Sequence, residues 1–139
     1  MLNVSNQTDD VVDEDSLQRL CALVLEREGA AAESAVNLVL CGEDTMRGYN
    51  RRYRGVNRST DVLSFPAELP DGDELGDILI DTHTAAQQKG NHSLDEEVQA
   101  LLLHGILHLL GHDHQGHSQR MAMEETQQSY MKLFRQEGK

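Results

Sequence analysis

The chain has 139 residues and a formal net charge of −12, with 38% hydrophobic and 26% charged residues. This length predicts one domain, and the apolar content is too high for a disordered protein. No apolar run approaches the roughly 18–20 residues that cross a bilayer, so no membrane span is expected. The first residues are acidic and lack the basic segment of a secretory signal. The acidic excess also argues against nonspecific nucleic-acid binding, and no DNA partner is expected.

Strands and helices alternate irregularly along the chain. Leucine-rich and β-branched runs predict strands at about residues 1–7, 35–41, 59–67 and 76–82. Helical spacing of apolar residues predicts helices at about 16–28, 45–53, 84–89, 94–110 and 118–136. Met46, Tyr49 and Tyr53 form the apolar positions of the second helix, and Ser93 with Glu96 predicts a capping box. The order predicts an α+β fold in one domain, residues 1–139, with a small mixed sheet of about four strands and about five helices.

The two cysteines, Cys21 and Cys41, both lie in apolar stretches. Two cysteines are too few for a disulfide scaffold, and free cysteine is among the most buried residue types. We therefore expect both to be small buried side chains.

Basic residues are concentrated in one segment. Five of the 12 lie between positions 47 and 58, where no Asp or Glu occurs: Arg47, Arg51, Arg52, Arg54 and Arg58. Such a segment can bind a polyanion locally even in an acidic protein. Arginines with this spacing also occur on ordinary solvated helix faces, so the segment alone leaves both interpretations open.

Histidines are concentrated in a second segment, HGILHLLGHDHQGH, which begins at His104 and contains five of the seven. His104 and His108 are four residues apart on a predicted helix, so both rings can reach one ion. Gly111 ends that helix and lets the chain turn back, which returns His114 toward the same ion. Three imidazoles with an open fourth position are typical of catalytic zinc. The alternative is a surface cluster at a helix end, but the apolar run around His104 and His108 makes unpaired imidazoles costly.

The neighbours of these three histidines are less decisive. His112 can face solvent, a carboxylate or substrate, and Asp113 is either an orienting partner of an imidazole or a turn residue. Zinc peptidases carry Glu directly after the first histidine, where this chain has Gly105. Ordinary zinc-peptidase chemistry is therefore not expected.

The histidine segment HGILHLLGHDH resembles the signature of the bacterial YbeY family of rRNA-maturation endoribonucleases. Two further segments, NRRYRGVNRSTDVLSFP and LGDILI, resemble blocks of that family and occur in its order. The resemblance runs from about Val36 to Phe134. Ser59 is a departure, because many members have proline at that position, and we expect it to cost only loop stiffness.

The resemblance implies a mixed sheet packed with helices, a zincin-like metal helix, and one zinc ion held by His104, His108 and His114. It also implies that Arg54 is required for function. Family members act on single-stranded RNA, in late maturation and quality control of the small ribosomal subunit at the 3′ end of its rRNA, and are cytoplasmic. These properties are expectations for this chain.

The leading hypothesis is a zinc-dependent endoribonuclease. A permanently charged guanidinium at Arg54 suits the negative charge that develops on a phosphate. The neighbouring arginines would guide the RNA strand: Arg51, Arg52 and Arg58. The general base is not identified: zinc-bound hydroxide is the default, His112 and Asp77 are secondary candidates, and Asp77 is equally well explained as structural. Two alternatives stay open, a non-catalytic ribosome-assembly factor with structural zinc and a metal-dependent hydrolase of another substrate.

Overall fold

A computed structural model describes residues 1–31, 33–67, 73–112 and 116–137. Its strands are β1 (Leu2–Asn6), β2 (Ala35–Cys41), β3 (Val62–Pro66) and β4 (Glu74–Asp81). Its helices are α1 (Glu14–Arg27), α2 (Glu43–Arg54), α3 (Thr82–Gln88), α4 (Leu94–Leu109) and α5 (His117–Glu137). The predicted α+β fold, with one small mixed sheet and five helices, is confirmed. No helix within these ranges is long and apolar enough to cross a membrane.

The sheet has the strand order β1-β2-β4-β3. β1, β2 and β4 are parallel to their neighbours, and β3 is antiparallel to β4 at one edge. Parallel neighbours need a crossover, which α1 supplies between β1 and β2. The sequence did not predict this parallel pairing, because periodicity within a strand does not tell which strand lies beside it.

The two faces of the sheet carry different helices. Side chains such as Leu38 and Ile78 belong to the main core, which also contains the buried residues of α1, α4 and α5. Alternate residues of the same strands point the other way, since successive strand side chains face opposite sides. Leu63 and Leu79 there form a smaller cluster with Met46 of α2. The arginine-bearing α2 and the histidine-bearing α4 therefore pack on opposite faces of the sheet.

The buried cysteines match their prediction. Cys21 is 1% exposed and Cys41 is fully covered, and both are free thiols. Burial raises the pKa of the Cys21 thiol to about 11. Burial, with the nearby charge of Asp81, raises the pKa of the Cys41 thiol to about 11. Since the thiolate is the reactive form, both side chains serve as core residues.

The N-terminal caps of two helices can be compared with their predictions. The capping box of Ser93 and Glu96 at the start of α4 is confirmed. The first predicted helix begins two residues earlier than expected, at Glu14 and not at Ser16: Asp13 caps α1, and its side chain accepts a hydrogen bond from the Ser16 backbone N–H. Both residue types are good caps, and the acidic run before Ser16 offers several competing starts.

Candidate metal centre and its surroundings

The helix that carries the histidines, α4, is held firmly in the core. Leu102, Leu103, Ile106 and Leu107 are fully buried within it. The helix packs against β3 and β4 on one side and against α1, α3 and α5 on others. Because most of its circumference is covered, the direction of its remaining, half-buried face is fixed by the fold.

Gly105 lies where α4 is closest to the sheet. A Cβ added at this position would stand 2.8 Å from Ile78 Cδ1 and 2.9 Å from Ile78 Cγ2. Position 105 thus faces the sheet, and a glutamate side chain has no space there. This contact supplies a physical reason for the absence of the zinc-peptidase glutamate.

His104 and His108 lie side by side on the half-buried face of α4. Their ring centroids are 5.6 Å apart and the ring planes differ by 53°. Two imidazoles bound to one tetrahedral zinc ion, with Zn–N near 2.0–2.1 Å, have centroids about 5 Å apart. The pair therefore fits a shared cation with a small rotation of either ring. Nitrogen donors of this kind suit zinc and other late transition metals.

Gln127 of α5 contacts the first of these histidines. Its amide nitrogen lies 2.7 Å from His104 Nδ1. Rotating the amide by 180° brings Gln127 Oε1 to the same place, where it accepts a hydrogen from Nδ1. In that arrangement Nε2 of His104 keeps its lone pair for a metal. Sequence reasoning missed Gln127, since only the packing of α5 on α4 reveals the contact.

The side chain of His112 contacts a carboxylate, which is one of the three possibilities that the sequence allows beside solvent and substrate. Its Nε2 lies 2.5 Å from Glu28 Oε1, and the Tyr130 hydroxyl donates to Glu28 Oε2 at 2.5 Å. The His112 backbone N–H also donates to the Leu107 carbonyl at 2.9 Å. Gly111 permits this turn, because its φ is +97°. α1, the end of α4 and α5 therefore meet at one carboxylate.

These contacts shift the ionisation of the two partners of His112. Burial acts to raise the pKa of Glu28, but hydrogen bonds from Tyr130 and His112 and the charge of His112 together bring it below its ordinary value. Burial, then the hydrogen bond to Glu28 and its charge, raise the pKa of Tyr130 to about 12. Glu28 is thus held as an anion and Tyr130 as a neutral donor.

The third predicted ligand, His114, lies outside the described residues, as does Asp113. Within the described ranges, no group of three His, Cys, Asp or Glu side chains is arranged to hold a metal. The structure accordingly brings two of the three predicted ligands together and leaves the third a prediction.

The predicted RNA-binding arginines lie on and just after α2. Arg51, Arg52 and Arg54 are exposed on its last turn, and Arg58 is exposed in the loop before β3. Arg47 differs, since it pairs with Glu43 at 3.1 Å and Asp44 at 3.2 Å. In the part of the chain that the structure describes, none of the other four forms an ion pair.

The loop that follows these arginines is held at three points. Gly55 ends α2 with a φ of +69°, as its sequence position predicts. The buried Asn50 side chain donates to the Arg58 carbonyl at 2.8 Å. Ser59 Oγ donates to the buried Asp81 carboxylate at 2.6 Å. Ser59, the departure from the family pattern, therefore contributes a hydrogen bond that fixes this loop.

Asp77, one of the two candidate bases, has a hydrogen-bond partner within the sheet. It is exposed on β4 opposite Phe65, on the α2 side of the sheet. Its carboxylate accepts a hydrogen bond from Asn37 Nδ2 at 3.0 Å. This hydrogen bond favours the structural explanation of Asp77.

Comparison with known proteins agrees with this architecture. A family model described as endoribonuclease YbeY matches residues 3–135. The endoribonuclease YbeY of Pelotomaculum thermopropionicum is 41% identical over 124 residues, covering 83% of this chain and 82% of that protein. The one from Desulforamulus reducens is 35% identical over 142 residues, covering 92% and 93%. The solution structure of TM1509 from Thermotoga maritima has a TM-score of 0.68 at 27% identity and covers 99% of this chain and 91% of that one. The chain therefore belongs to the endoribonuclease YbeY family.

Proposed function

We propose that this chain is a zinc-dependent endoribonuclease that cuts single-stranded RNA in the cytoplasm, on the rRNA of the small ribosomal subunit. The observation that carries the proposal is the His104–His108 pair at 5.6 Å on a rigid helix, within a chain of the YbeY family. Relatives that match over most of their length are named as endoribonucleases, which supports RNA as the substrate. The motif around His114 supports this residue as the third ligand.

The protein would hold the ion through His104, His108 and His114. Zinc bound by three imidazoles supplies Lewis-acid chemistry at its open position. Gln127 would orient His104, as outer hydrogen bonds commonly do for histidine ligands. Glu28, itself bonded to Tyr130, would hold His112 in place. Because His112 is two residues before His114, this would restrict the conformations of the chain that leads from His108 to the third ligand.

Arg54 would bind the phosphate that is cut. Its guanidinium is exposed, permanently charged and not occupied by a described carboxylate. A planar donor of this kind stabilises the charge that grows on phosphate oxygens as the bond breaks. The neighbouring arginines would bind flanking phosphates of the strand: Arg51, Arg52 and Arg58.

Cleavage of a labelled single-stranded RNA by the zinc-loaded protein tests the proposal. We expect chelation or His108→Ala to abolish cutting, and Arg54→Ala to reduce kcat about 100- to 1,000-fold. Arg47→Ala is the matched control, since Arg47 is already paired with Glu43 and Asp44, and we expect less than about a twofold change. Cutting that survives both chelation and Arg54→Ala would contradict the mechanism.

The same variants separate the nuclease from a non-catalytic assembly factor. In cells that depend on this protein, the nuclease predicts that His108→Ala leaves uncut 3′ ends on small-subunit rRNA. An assembly factor predicts normal ends with a folded His108→Ala protein. A peptidase is disfavoured because position 105 has no space for the required glutamate.

A further inference from the structure

One aromatic ring on α2 is exposed, against expectation. Helical spacing placed Tyr53 with Met46 and Tyr49 on the packed side of the helix. Met46 is fully buried and Tyr49 is half-buried, but Tyr53 is 58% exposed. The chain has five aromatic residues, all within the described ranges, and the other four are at least partly buried. An exposed ring in a chain so poor in aromatic residues is available for a ligand.

The exposed ring is held in place by two others. Tyr49, one turn earlier on α2, stacks on Tyr53 with centroids 5.8 Å apart and planes 14° from parallel. Phe65 of β3 lies 5.2 Å away at 59°. Both supporting rings pack against the small core cluster of Met46 and Leu79. The orientation of Tyr53 is therefore fixed before any ligand binds, which lowers the entropic cost of binding.

Positive charge surrounds this ring. The Arg52 guanidinium carbon lies 6.0 Å from the Tyr53 centroid and 5.9 Å from that of Tyr49. Arg51 and Arg54 are exposed on the same helical turn, without an ion pair to a described carboxylate. In a chain of net charge −12, this local arrangement attracts an anion that also carries flat apolar surfaces. Single-stranded nucleic acid has both properties, because its bases stack on aromatic rings and its phosphates bind arginine.

We propose that Tyr53, supported by Tyr49 and Phe65, is a stacking platform for a base of single-stranded RNA. Arg51 and Arg52 bind the phosphates on either side of that base. The inference rests on the proposed function and adds to it a base contact at a residue that the sequence assigned to packing. A double helix keeps its bases stacked inside, so the platform favours unpaired RNA.

Binding measurements on two oligonucleotides test the platform. One is a short 2′-O-methyl RNA, which resists cleavage, and the other is an abasic strand of the same length and charge. For the zinc-loaded protein, we expect Tyr53→Leu to weaken binding of the base-containing strand about tenfold and to leave the abasic strand unchanged. Tyr53→Phe keeps the ring and should bind within about twofold of the wild type. Met121→Ala, which removes another exposed apolar side chain, is the control and should change neither affinity.

Fluorescence provides a readout that does not depend on Tyr53→Leu folding well. The chain contains no tryptophan, so Tyr53→Trp introduces a single indole at this position. Base-containing RNA should quench its emission, and the abasic strand should not. Equal quenching by both strands, or equal weakening of both by Tyr53→Leu, would overturn the platform.

The outcome also separates this inference from the nuclease proposal. If Tyr53→Leu binds the base-containing strand as tightly as the wild type while the wild type cuts RNA, the platform is wrong and the nuclease stands. If base-dependent binding is lost in Tyr53→Leu but the wild type cuts no RNA, the platform stands and the nuclease is wrong.

Discussion

Gly105 lies directly against the side chain of Ile78, and a Cβ at position 105 would be only 2.8 Å from Ile78 Cδ1. Ile78 is fully buried and branched at its own Cβ, so it has little freedom to move away. We expect Gly105→Ala to lower the free energy of unfolding by about 1–3 kcal/mol, as overpacking does. Chemical denaturation measures this change.

Gly48 offers a matched control for that substitution. It lies inside α2, and a Cβ added there would meet nothing within 4 Å. Gly48→Ala should therefore stabilise the protein by about 0.5–1 kcal/mol through the reduced backbone freedom of the unfolded chain. Equal effects of the two substitutions would contradict the close approach of α4 to the sheet.

Ser59→Ala tests the hydrogen bond between Ser59 and Asp81. The Asp81 carboxylate is fully buried and accepts from Ser59 Oγ at 2.6 Å. Removing the donor should lower the free energy of unfolding by about 1–3 kcal/mol, because the charged partner stays buried. Thermal and chemical unfolding measure this loss. Ser5→Ala, at an exposed serine of β1, should change stability by less than about 0.5 kcal/mol. If Ser59→Ala changed the free energy of unfolding as little as Ser5→Ala, the buried Asp81 carboxylate would not need the Ser59 hydrogen bond.

Gln127→Leu tests the orientation of His104. Loss of the amide contact with Nδ1 should weaken zinc affinity about tenfold or more, measured by competition with a chromophoric chelator. Gln128→Leu makes the same chemical change one residue along α5 at an exposed position, and should leave zinc affinity unchanged. Equal zinc affinity in the two variants would show that Gln127 does not orient His104 for metal binding.

Glu28 should make stability depend on pH on the acidic side. Burial raises the pKa of its carboxyl, but the hydrogen bonds from Tyr130 and His112 and the charge of His112 together bring the pKa below its ordinary value of 4.5. A carboxyl whose pKa is lower in the folded state stabilises the fold above its unfolded pKa. That stabilisation is lost as the pH falls through the folded pKa. The free energy of unfolding of the wild type should therefore fall more steeply between about pH 6 and about pH 3 than that of Glu28→Gln. Parallel curves for the two proteins would show that Glu28 is not linked to folding.

Local patterns predicted the elements of the fold well, and tertiary pairing poorly. The apolar spacing around His104 and His108 was sufficient to place both on one helix face, because the period of a helix fixes that relation. The Ser93 capping box and the Gly55 stop depend only on residues within one turn. The parallel order of β1, β2 and β4 depends on how distant segments meet, and no local pattern encodes it.

The contrast between local patterns and distant contacts also explains which contacts of the candidate site the sequence did not predict. The sequence alone allows His112 three kinds of partner, because Glu28 is 84 residues away along the chain. Gln127 and Tyr130 lie on the last helix, and only its packing brings them near the histidines. Helical spacing predicts Tyr53 on the packed side, because the spacing gives the direction of a residue and not whether a neighbouring element covers it.

The last helix also determines when the histidine region acquires its contacts. Glu28 is synthesised early and His112 much later. Tyr130 and Gln127 are later still, because both belong to α5, which follows every other described element in the chain. A chain that ended before α5 would therefore lack the contact of Gln127 with His104 and that of Tyr130 with Glu28. The C-terminal helix thus completes both the core and the surroundings of the histidines, so its loss would disturb stability and the orientation of His104 together.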